Sequence, residues 1–276
     1  MSAAAERALP VVVLAGNPNV GKSTLFNRLT GMKQHTGNWP GKTVGSAWGR
    51  VRRDGWEFLL GDTPGTYSLL SHSPEEEAAR DAICFGGADV VAVVCDATCL
   101  ERGLELALQV MALTRRVVVC VNLMDEARRR GIKVDISALE AALGVPVAGC
   151  AARDGKGLEK LLQRARAVAE ERERPAPREI RLAPDVEYAR ERIAAALRER
   201  GVSLDARYAA LRVLEGDRGL WARLEEELGA PLAELREVRE ETARLAPERV
   251  REESAAALFD RAGQVFAACV HSVATR

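Results

Sequence analysis

Apolar strings alternate with helical patterns in the first part of the chain. Residues 90–95 and 117–121 are apolar throughout, which is typical of strands buried on both faces of a sheet. Residues 11–15 form a third such string, and residues 23–29 have the pattern of a helix that follows it. Because strands alternate with helices, the pattern predicts a mostly parallel, doubly wound α/β sheet.

A hairpin interrupts this alternation. Residues 50–53 and 56–60 flank Asp54-Gly55, a dipeptide typical of a two-residue β-turn. The hairpin therefore predicts one antiparallel strand at the edge of the sheet. A short strand over 145–148 and helices over 101–114 and 157–173 complete the predicted domain.

Glycine becomes sparse and charge becomes dense in the second part of the chain. Arg174-Pro175-Ala176-Pro177 cannot continue a helix, so this segment marks the expected junction. We expect an α/β domain over 1–173 and an all-α domain over 178–276. Its predicted helices lie near 185–199, 203–215, 220–228, 231–245 and 248–273, with Pro231 in a first helical turn.

Composition excludes several classes of protein. The chain has 276 residues, with 40 basic and 40 acidic side chains and a formal net charge of zero, which argues against a globally basic nucleic-acid binder. The longest apolar strings are far shorter than the roughly 18 residues that a spanning helix needs, and no signal peptide is visible. The six cysteines form no Cys-x-x-Cys pair and indicate reduced thiols. We therefore expect a soluble, globular chain.

A glycine-rich phosphate-binding motif follows the first predicted strand and opens a helix. The glycines of the GxxxxGK[ST] pattern let successive backbone N–H groups face one concavity at a helix N-terminus, where phosphates bind. The lysine reaches the terminal phosphates, and the serine hydroxyl is a ligand for Mg²⁺. The predicted nucleotide-contacting residues of this loop are Gly16, Asn17, Pro18, Asn19, Val20, Gly21, Lys22, Ser23 and Thr24.

Asp62-Thr63-Pro64-Gly65 follows the second strand of the hairpin. An acidic side chain at that strand end can hold Mg²⁺ through water, and a glycine beside the γ-phosphate can change conformation when the phosphate leaves. Alone the tetrapeptide is an ordinary turn. Its place just after a strand supports the phosphate loop.

Two further loops predict selection of a guanine base. Asp125, in Asn122-Leu123-Met124-Asp125, can accept from the N1–H and exocyclic amine of guanine, a donor pair that adenine lacks. Asn122 can tie this loop to the phosphate loop. Cys150-Ala151-Ala152 stands where a backbone N–H meets the guanine oxygen.

These ordered motifs resemble the N-terminal cytoplasmic part of the FeoB ferrous iron transporters. The resemblance is carried by the text of residues 17–27, 29–31, 37–44 and 62–69, and by a GTPase domain that precedes a helical one. It implies a slowly GTP-hydrolysing switch domain, at the cytoplasmic face of the bacterial inner membrane, that regulates ferrous iron transport.

The resemblance also implies roles for residues and partners. Thr43 resembles the switch residue that closes over Mg²⁺ together with Ser23 and Asp62, and Asn19 resembles the ligand of an activating K⁺. Lys22, Thr43 and Asn19 would then serve hydrolysis, and the helical domain would favour GDP. The implied partners are GTP and GDP, a transmembrane domain of the same polypeptide and small accessory iron-uptake proteins, but no nucleic acid; the oligomeric state stays open. The implied nucleotide-contacting residues of the first switch are Gly41, Lys42, Thr43 and Val44.

The chain departs from the common patterns at four positions. Leu123 replaces a base-stacking lysine, and Ala151 replaces a serine that braces its loop, which predicts faster nucleotide exchange. Thr66 stands where many GTPases have a water-orienting glutamine, and Gly45 replaces a glutamate. Two alternatives stay open: a ribosome-assembly or tRNA-modification type of GTPase, and a nucleotide-loaded binding module without turnover.

Overall fold

The computed structural model describes residues 9–31, 47–69, 74–84 and 87–272. Their backbone contacts divide the chain into two compact units, each of which is described by itself. The first unit comprises Met1–Met111, Arg115–Arg178 and Gln264–Arg276, and the second comprises Ala112–Thr114 and Glu179–Gly263.

The described chain contains eight strands and eleven α-helices. The strands are β1 (Val11–Gly16), β2 (Ala47–Arg53), β3 (Trp56–Asp62), β4 (Val90–Asp96), β5 (Val117–Asn122), β6 (Ile132–Val134), β7 (Val147–Gly149) and β8 (Val270–Ser272). The helices are α1 (Lys22–Thr30), α2 (Pro74–Cys84), α3 (Leu100–Leu113), α4 (Met124–Arg129), α5 (Ile136–Leu143), α6 (Leu158–Ala169), α7 (Pro184–Glu199), α8 (Ala206–Leu214), α9 (Arg218–Leu228), α10 (Arg236–Arg244) and α11 (Pro247–Cys269).

A six-stranded sheet organises the first unit, in the order β2-β3-β1-β4-β5-β7. Every neighbouring pair is parallel except β2 and β3, which form the predicted hairpin at the edge. Asp54 and Gly55 turn this hairpin with φ values of 49° and 70°. All six residues of β1 and of β5 are buried, as expected for strands covered on both faces. The predicted fold class is therefore confirmed.

The carboxyl ends of the parallel strands lie along one edge of this sheet. β1 ends at Gly16, β3 at Asp62, β5 at Asn122 and β7 at Gly149, so each of the four predicted site motifs among the described residues begins where a strand ends. In open α/β sheets this edge is where ligands bind. Four motifs that are distant in sequence are thus brought to one edge by the topology alone.

The second unit consists mainly of five helices, α7 to α11. Asp205 caps α8 by accepting from the N–H groups of Arg207 and Tyr208, and Asp217 caps α9 by accepting from that of Leu220. The prediction of one continuous helix over 231–245 is wrong. A 3₁₀ turn over Leu232–Glu234, preceded by Pro231 in an extended conformation, is separated from α10 by Leu235, whose backbone is also extended.

The helix predicted over 248–273 is also too long. α11 ends at Cys269, and the next three residues form β8, which pairs antiparallel with β6. The N–H of Asp135 donates to the carbonyl of Cys269 at 2.8 Å, which extends this pairing. The predicted domain boundaries at 173 and 178 stay a prediction. In the described part of the chain, no helix has both the length and the apolar character that crossing a bilayer requires.

The side chain of Trp48 on β2 covers Gly61 on β3. The two residues are register partners, and the indole is buried. A Cβ added at Gly61 would lie 2.5 to 2.9 Å from three carbons of the indole ring. The absence of a side chain at Gly61 therefore makes room for Trp48 immediately before Asp62.

We predict that Gly61→Ala lowers the free energy of unfolding by about 1–3 kcal/mol, because the added methyl overpacks the Trp48 ring. Chemical denaturation measures the loss. In the double variant Gly61→Ala/Trp48→Leu, the loss should be smaller than the sum of the losses in the two single variants, since the smaller leucine side chain leaves room for the added methyl. Strict additivity would contradict this packing.

Candidate nucleotide-binding site

The loop between β1 and α1 has room only for glycine at both of its pattern positions. A Cβ at Gly16 would lie 2.5 Å from the carbonyl oxygen of Val94, and one at Gly21 would overlap the amide nitrogen of Asn122. Gly21 also has a left-handed backbone with φ 89°, as does the exposed Asn19 with φ 65°. These conformations let the loop curl at the start of α1, as a phosphate-binding loop requires.

The ammonium group of Lys22 is buried inside this loop. Its Nζ donates to the carbonyl oxygens of Gly16 at 3.1 Å and Asn17 at 3.3 Å. Burial lowers the pKa of Lys22, and the nearby Asp62 carboxylate opposes that shift. A terminal phosphate at this position would favour the charged ammonium.

Ser23 and Asp62 meet at the start of α1. The Ser23 hydroxyl donates to Oδ2 of Asp62 at 3.1 Å, while Oδ1 of Asp62 is buried and has no hydrogen-bond partner in the structure. Burial raises the pKa of Asp62, against the opposing effects of Lys22 and Ser23. A hydroxyl beside a carboxylate with an unpartnered oxygen is a donor set that fits Mg²⁺.

The segment after Asp62 lies against β1 and the phosphate loop. Thr63 donates to the carbonyl of Leu14 through its hydroxyl at 2.8 Å and through its backbone N–H at 3.2 Å. A Cβ added at Gly65, the residue after Pro64, would lie 3.0 Å from Cα of Pro18 and 3.1 Å from Nζ of Lys22. The backbone at Gly65 is therefore within contact distance of the loop.

One buried side chain connects the phosphate loop to the two loops that are predicted to select the base. Asn122, which is 1% exposed, donates through Nδ2 to the carbonyl of Val20 at 3.0 Å. Its Oδ1 accepts from the backbone N–H of Ala152 at 3.0 Å. The expected link from Asn122 to the phosphate loop is present, and a second link reaches the loop after β7.

Leu123, Met124 and Asp125 turn from β5 into α4. Leu123 has a left-handed backbone with φ 60°, and the N–H of Met124 donates to the carbonyl of Cys150 at 3.1 Å. Asp125 forms an ion pair with Arg129 at 3.5 Å, one turn later on α4. This partner was not expected, although the spacing of four residues on a helix could have indicated it.

The loop from Cys150 to Ala152 is buried and closed on itself. Ala151 and Lys156 exchange backbone hydrogen bonds of 3.0 and 3.2 Å. Gly157 is so near the carbonyl of Gly149 that an added Cβ would overlap it. Since the N–H groups of Ala151 and Ala152 already have protein partners, a guanine oxygen here would share one of these donors or displace its partner.

The structure brings the residues of three predicted motifs to one edge of the sheet, together with Asp62–Gly65. Their roles toward a nucleotide remain predictions. Gly41, Lys42, Thr43 and Val44 lie outside the described residues, as does Gly45. Arg28 was not expected at this edge: its guanidinium lies 3.2 Å from the position that a Cβ at Gly155 would occupy.

Both parts of the chain match sequence profiles of one known protein family. The sequence profile of ferrous iron transport protein B matches residues 10–165, and that of the FeoB cytosolic helical domain matches residues 183–271. This chain belongs to the ferrous iron transport protein B family. The six-stranded unit is thus a FeoB G domain with the P-loop GTPase fold, and the comparisons lend no support to a ribosome-assembly or tRNA-modification type.

Solved FeoB structures resemble nearly the whole chain. The cytosolic domain of FeoB from T. maritima in a GDP form is 33% identical, with a TM-score of 0.82, covering 95% of this chain and 99% of that one. The cytosolic domain of FeoB from L. pneumophila is 30% identical, with a TM-score of 0.79, covering 95% and 99%.

Curated FeoB relatives are much longer than this chain. The Fe(2+) transport protein A/Fe(2+) transporter FeoB fusion protein of Porphyromonas gingivalis is 38% identical over 214 residues, which are 75% of this chain and 25% of that protein. The Fe(2+) transporter FeoB of Escherichia coli K12 is 43% identical over 152 residues, which are 54% and 20%. The chain therefore spans about a quarter or less of these relatives.

We predict that Asn122→Ala lowers the free energy of unfolding of this FeoB G domain by about 2–4 kcal/mol, because Val20 and Ala152 each keep a buried backbone group without its partner. Denaturant unfolding without nucleotide measures the effect. Asn17→Ala is the matched control: Asn17 is similarly buried but makes one side-chain bond, to the carbonyl of Arg102 at 3.2 Å. Equal losses in both variants would contradict a bridging role for Asn122.

Proposed function

We propose that this chain binds GTP and hydrolyses it slowly, as a switch domain that regulates ferrous iron transport across the bacterial inner membrane. The observation that carries the proposal is the Asn122 bridge, because it holds a phosphate loop and a guanine-selecting loop in one rigid arrangement. Asp125, the guanine-selecting carboxylate in this proposal, lies in the first turn of α4, three residues after Asn122.

Each residue of the site has a role in this proposal. Lys22 binds the β- and γ-phosphates and neutralises charge that develops during hydrolysis. Ser23 and Asp62 would hold Mg²⁺, directly and through water. Magnesium would supply neutralising positive charge at the phosphates, and the unpartnered Oδ1 of Asp62 fits an oxygen ligand of that ion. Thr43 would close over the same ion.

Slow hydrolysis follows from the position of Thr66. This side chain is 4% exposed, and its hydroxyl donates to the carbonyl of Ser68 at 2.6 Å. It is therefore not available to orient an attacking water, the role of glutamine in many GTPases. Without that group we expect an intrinsic rate on the order of 10⁻⁴–10⁻² s⁻¹.

A potassium ion would supply the additional positive charge beside the phosphates. Asn19 fits a ligand of such an ion because its side chain is exposed on the phosphate loop, where its left-handed backbone conformation turns the chain. An amide oxygen is a suitable donor for a hard cation. Lys22, Thr43 and Asn19 are then the residues that serve hydrolysis.

The names of the relatives support the rest of the proposal. FeoB relatives are named as Fe(2+) transporters and are several times longer, so we propose a transmembrane domain of the same polypeptide as partner and a place at the cytoplasmic face of the inner membrane. A relative that fuses Fe(2+) transport protein A to FeoB supports small accessory iron-uptake partners. We propose domains over 1–173 and 178–276, the second favouring GDP.

Turnover in KCl compared with NaCl tests the proposed mechanism. We predict GTP hydrolysis faster by about tenfold or more in KCl, through added positive charge in the transition state. Asn19→Ala should abolish the difference between the two salts. Equal rates in both salts would remove the potassium role. Binding without any turnover would instead favour the alternative of a nucleotide-loaded binding module.

The missing hydroxyl at Ala151 predicts rapid exchange of nucleotide. We expect Ala151→Ser to slow the release of labelled GDP in stopped-flow measurements several-fold, because the hydroxyl can brace the loop by about 0.5–1.5 kcal/mol. Ala167→Ser is a matched control because Ala167 is a half-buried residue near the end of α6, and it should leave the rate of GDP release unchanged. Equal release rates in the Ala151→Ser variant and the unchanged chain would contradict the predicted looseness.

A further inference from the structure

The segment that follows Gly65 continues from the phosphate loop onto helix α3. The N–H of Thr66 donates to the carbonyl of Gly16 at 3.3 Å, and the Thr66 hydroxyl forms a turn with Ser68. Helix α3 is contacted by Tyr67 and Ser68, which lie in this turn, and by Leu69, which follows it. The segment is therefore anchored at both ends, on the phosphate loop and on the helix.

One oxygen of Gln109 makes the polar contacts at the α3 end. Its Oε1 accepts from the backbone N–H of Leu69 at 2.7 Å and from the hydroxyl of Ser68 at 3.4 Å. Leu69 is 2% exposed, so its N–H needs a partner within the protein. Gln109 acts here as an acceptor, and that property can be separated experimentally from its size.

Arg102 makes a second contact two helical turns before Gln109, on the same face of α3. Its guanidinium carbon lies 5.7 Å from the centroid of the Tyr67 ring, in the geometry of a cation–π contact. Its backbone carbonyl accepts from Nδ2 of Asn17 in the phosphate loop at 3.2 Å. The same helix is thus tied to the phosphate loop and to the segment after Gly65.

We propose that Gln109, supported by Arg102, is a positioning residue for GTP hydrolysis. Its Oε1 anchors Ser68 and Leu69 and thereby fixes the backbone at Gly65 and Thr66 relative to Lys22. This inference rests on the proposed hydrolysis of GTP at the site. Gln109 does not touch the nucleotide; it acts through the segment that passes the terminal phosphate.

The geometry near Gly65 explains why such an anchor affects the rate. The backbone at Gly65 passes so near the loop that an added Cβ would lie only 3.0 Å from Cα of Pro18 and 3.1 Å from Nζ of Lys22. A displacement of about 1 Å in a group that positions reactants can cost as much as 10²-fold in rate. Binding of the nucleotide itself depends on the phosphate and base loops, whereas the hydrogen bonds of the Gln109 side chain in the described chain go to Ser68 and Leu69.

Gln109→Met and Gln109→Glu form a matched pair for the test. Methionine keeps the length and suits a helix but lacks the acceptor, whereas glutamate keeps the acceptor. We expect kcat for GTP to fall about tenfold in the methionine variant, with KM for GTP and Kd for GDP changed less than about twofold. The glutamate variant should keep kcat within about twofold of the unchanged chain.

Amide hydrogen exchange at Leu69, followed by NMR, is a second measurement that does not depend on turnover. We expect its exchange to accelerate about tenfold in Gln109→Met and to stay nearly unchanged in Gln109→Glu. Unchanged kcat in the methionine variant, or equal loss of kcat in both variants, would overturn the positioning role. Absence of turnover in the unchanged chain would refute the proposed function, while the Leu69 exchange would still report whether the anchor exists.

Discussion

The side chain of Asn122 holds together two loops that come from opposite ends of the first domain's sequence. It stands at the end of β5, between β4 and β7 in the sheet, where its side chain is shielded from solvent. One end of that amide satisfies the carbonyl of Val20 and the other satisfies the N–H of Ala152. Only a glycine at position 21 leaves space for it. Asn122 therefore connects the phosphate loop to the loop after β7, and a displacement of one loop relative to the other would break a buried hydrogen bond.

A pair of buried opposite charges complements this neutral bridge. Burial shifts the pKa values of Lys22 and Asp62 in the directions that disfavour their charges, while each charge favours the other. Lys22 relies on loop carbonyls, and Asp62 keeps one oxygen without a partner. Two groups that the protein alone satisfies incompletely are well suited to a ligand that brings both phosphate and magnesium, because binding restores interactions lost on burial.

How much of this was predictable depends on the range over which each interaction acts. Strands β4 and β5 are apolar up to their last residue, and the hairpin turn at Asp54 is local, so the sequence indicated both. The break at Leu235 and the strand β8 were missed, because local periodicity favours a helix there and the pairing of β8 with β6 comes from distant residues. The contact between Gln109 and Leu69 was missed for the same reason: it joins residues 40 apart in sequence, and a glutamine on a helix has no distinguishing pattern.

The misjudged strand changes how the second unit is connected. Helix α11 ends in β8, whose partner β6 follows α4 directly, and α4 begins at the loop of Asn122 and Asp125. The long segment of the second unit, Glu179–Gly263, is thus bounded in sequence by residues 178 and 264, both of which belong to the first unit. β8 pairs with β6, the first strand after α4, and the first turn of α4 contains Asp125, the residue predicted to select guanine.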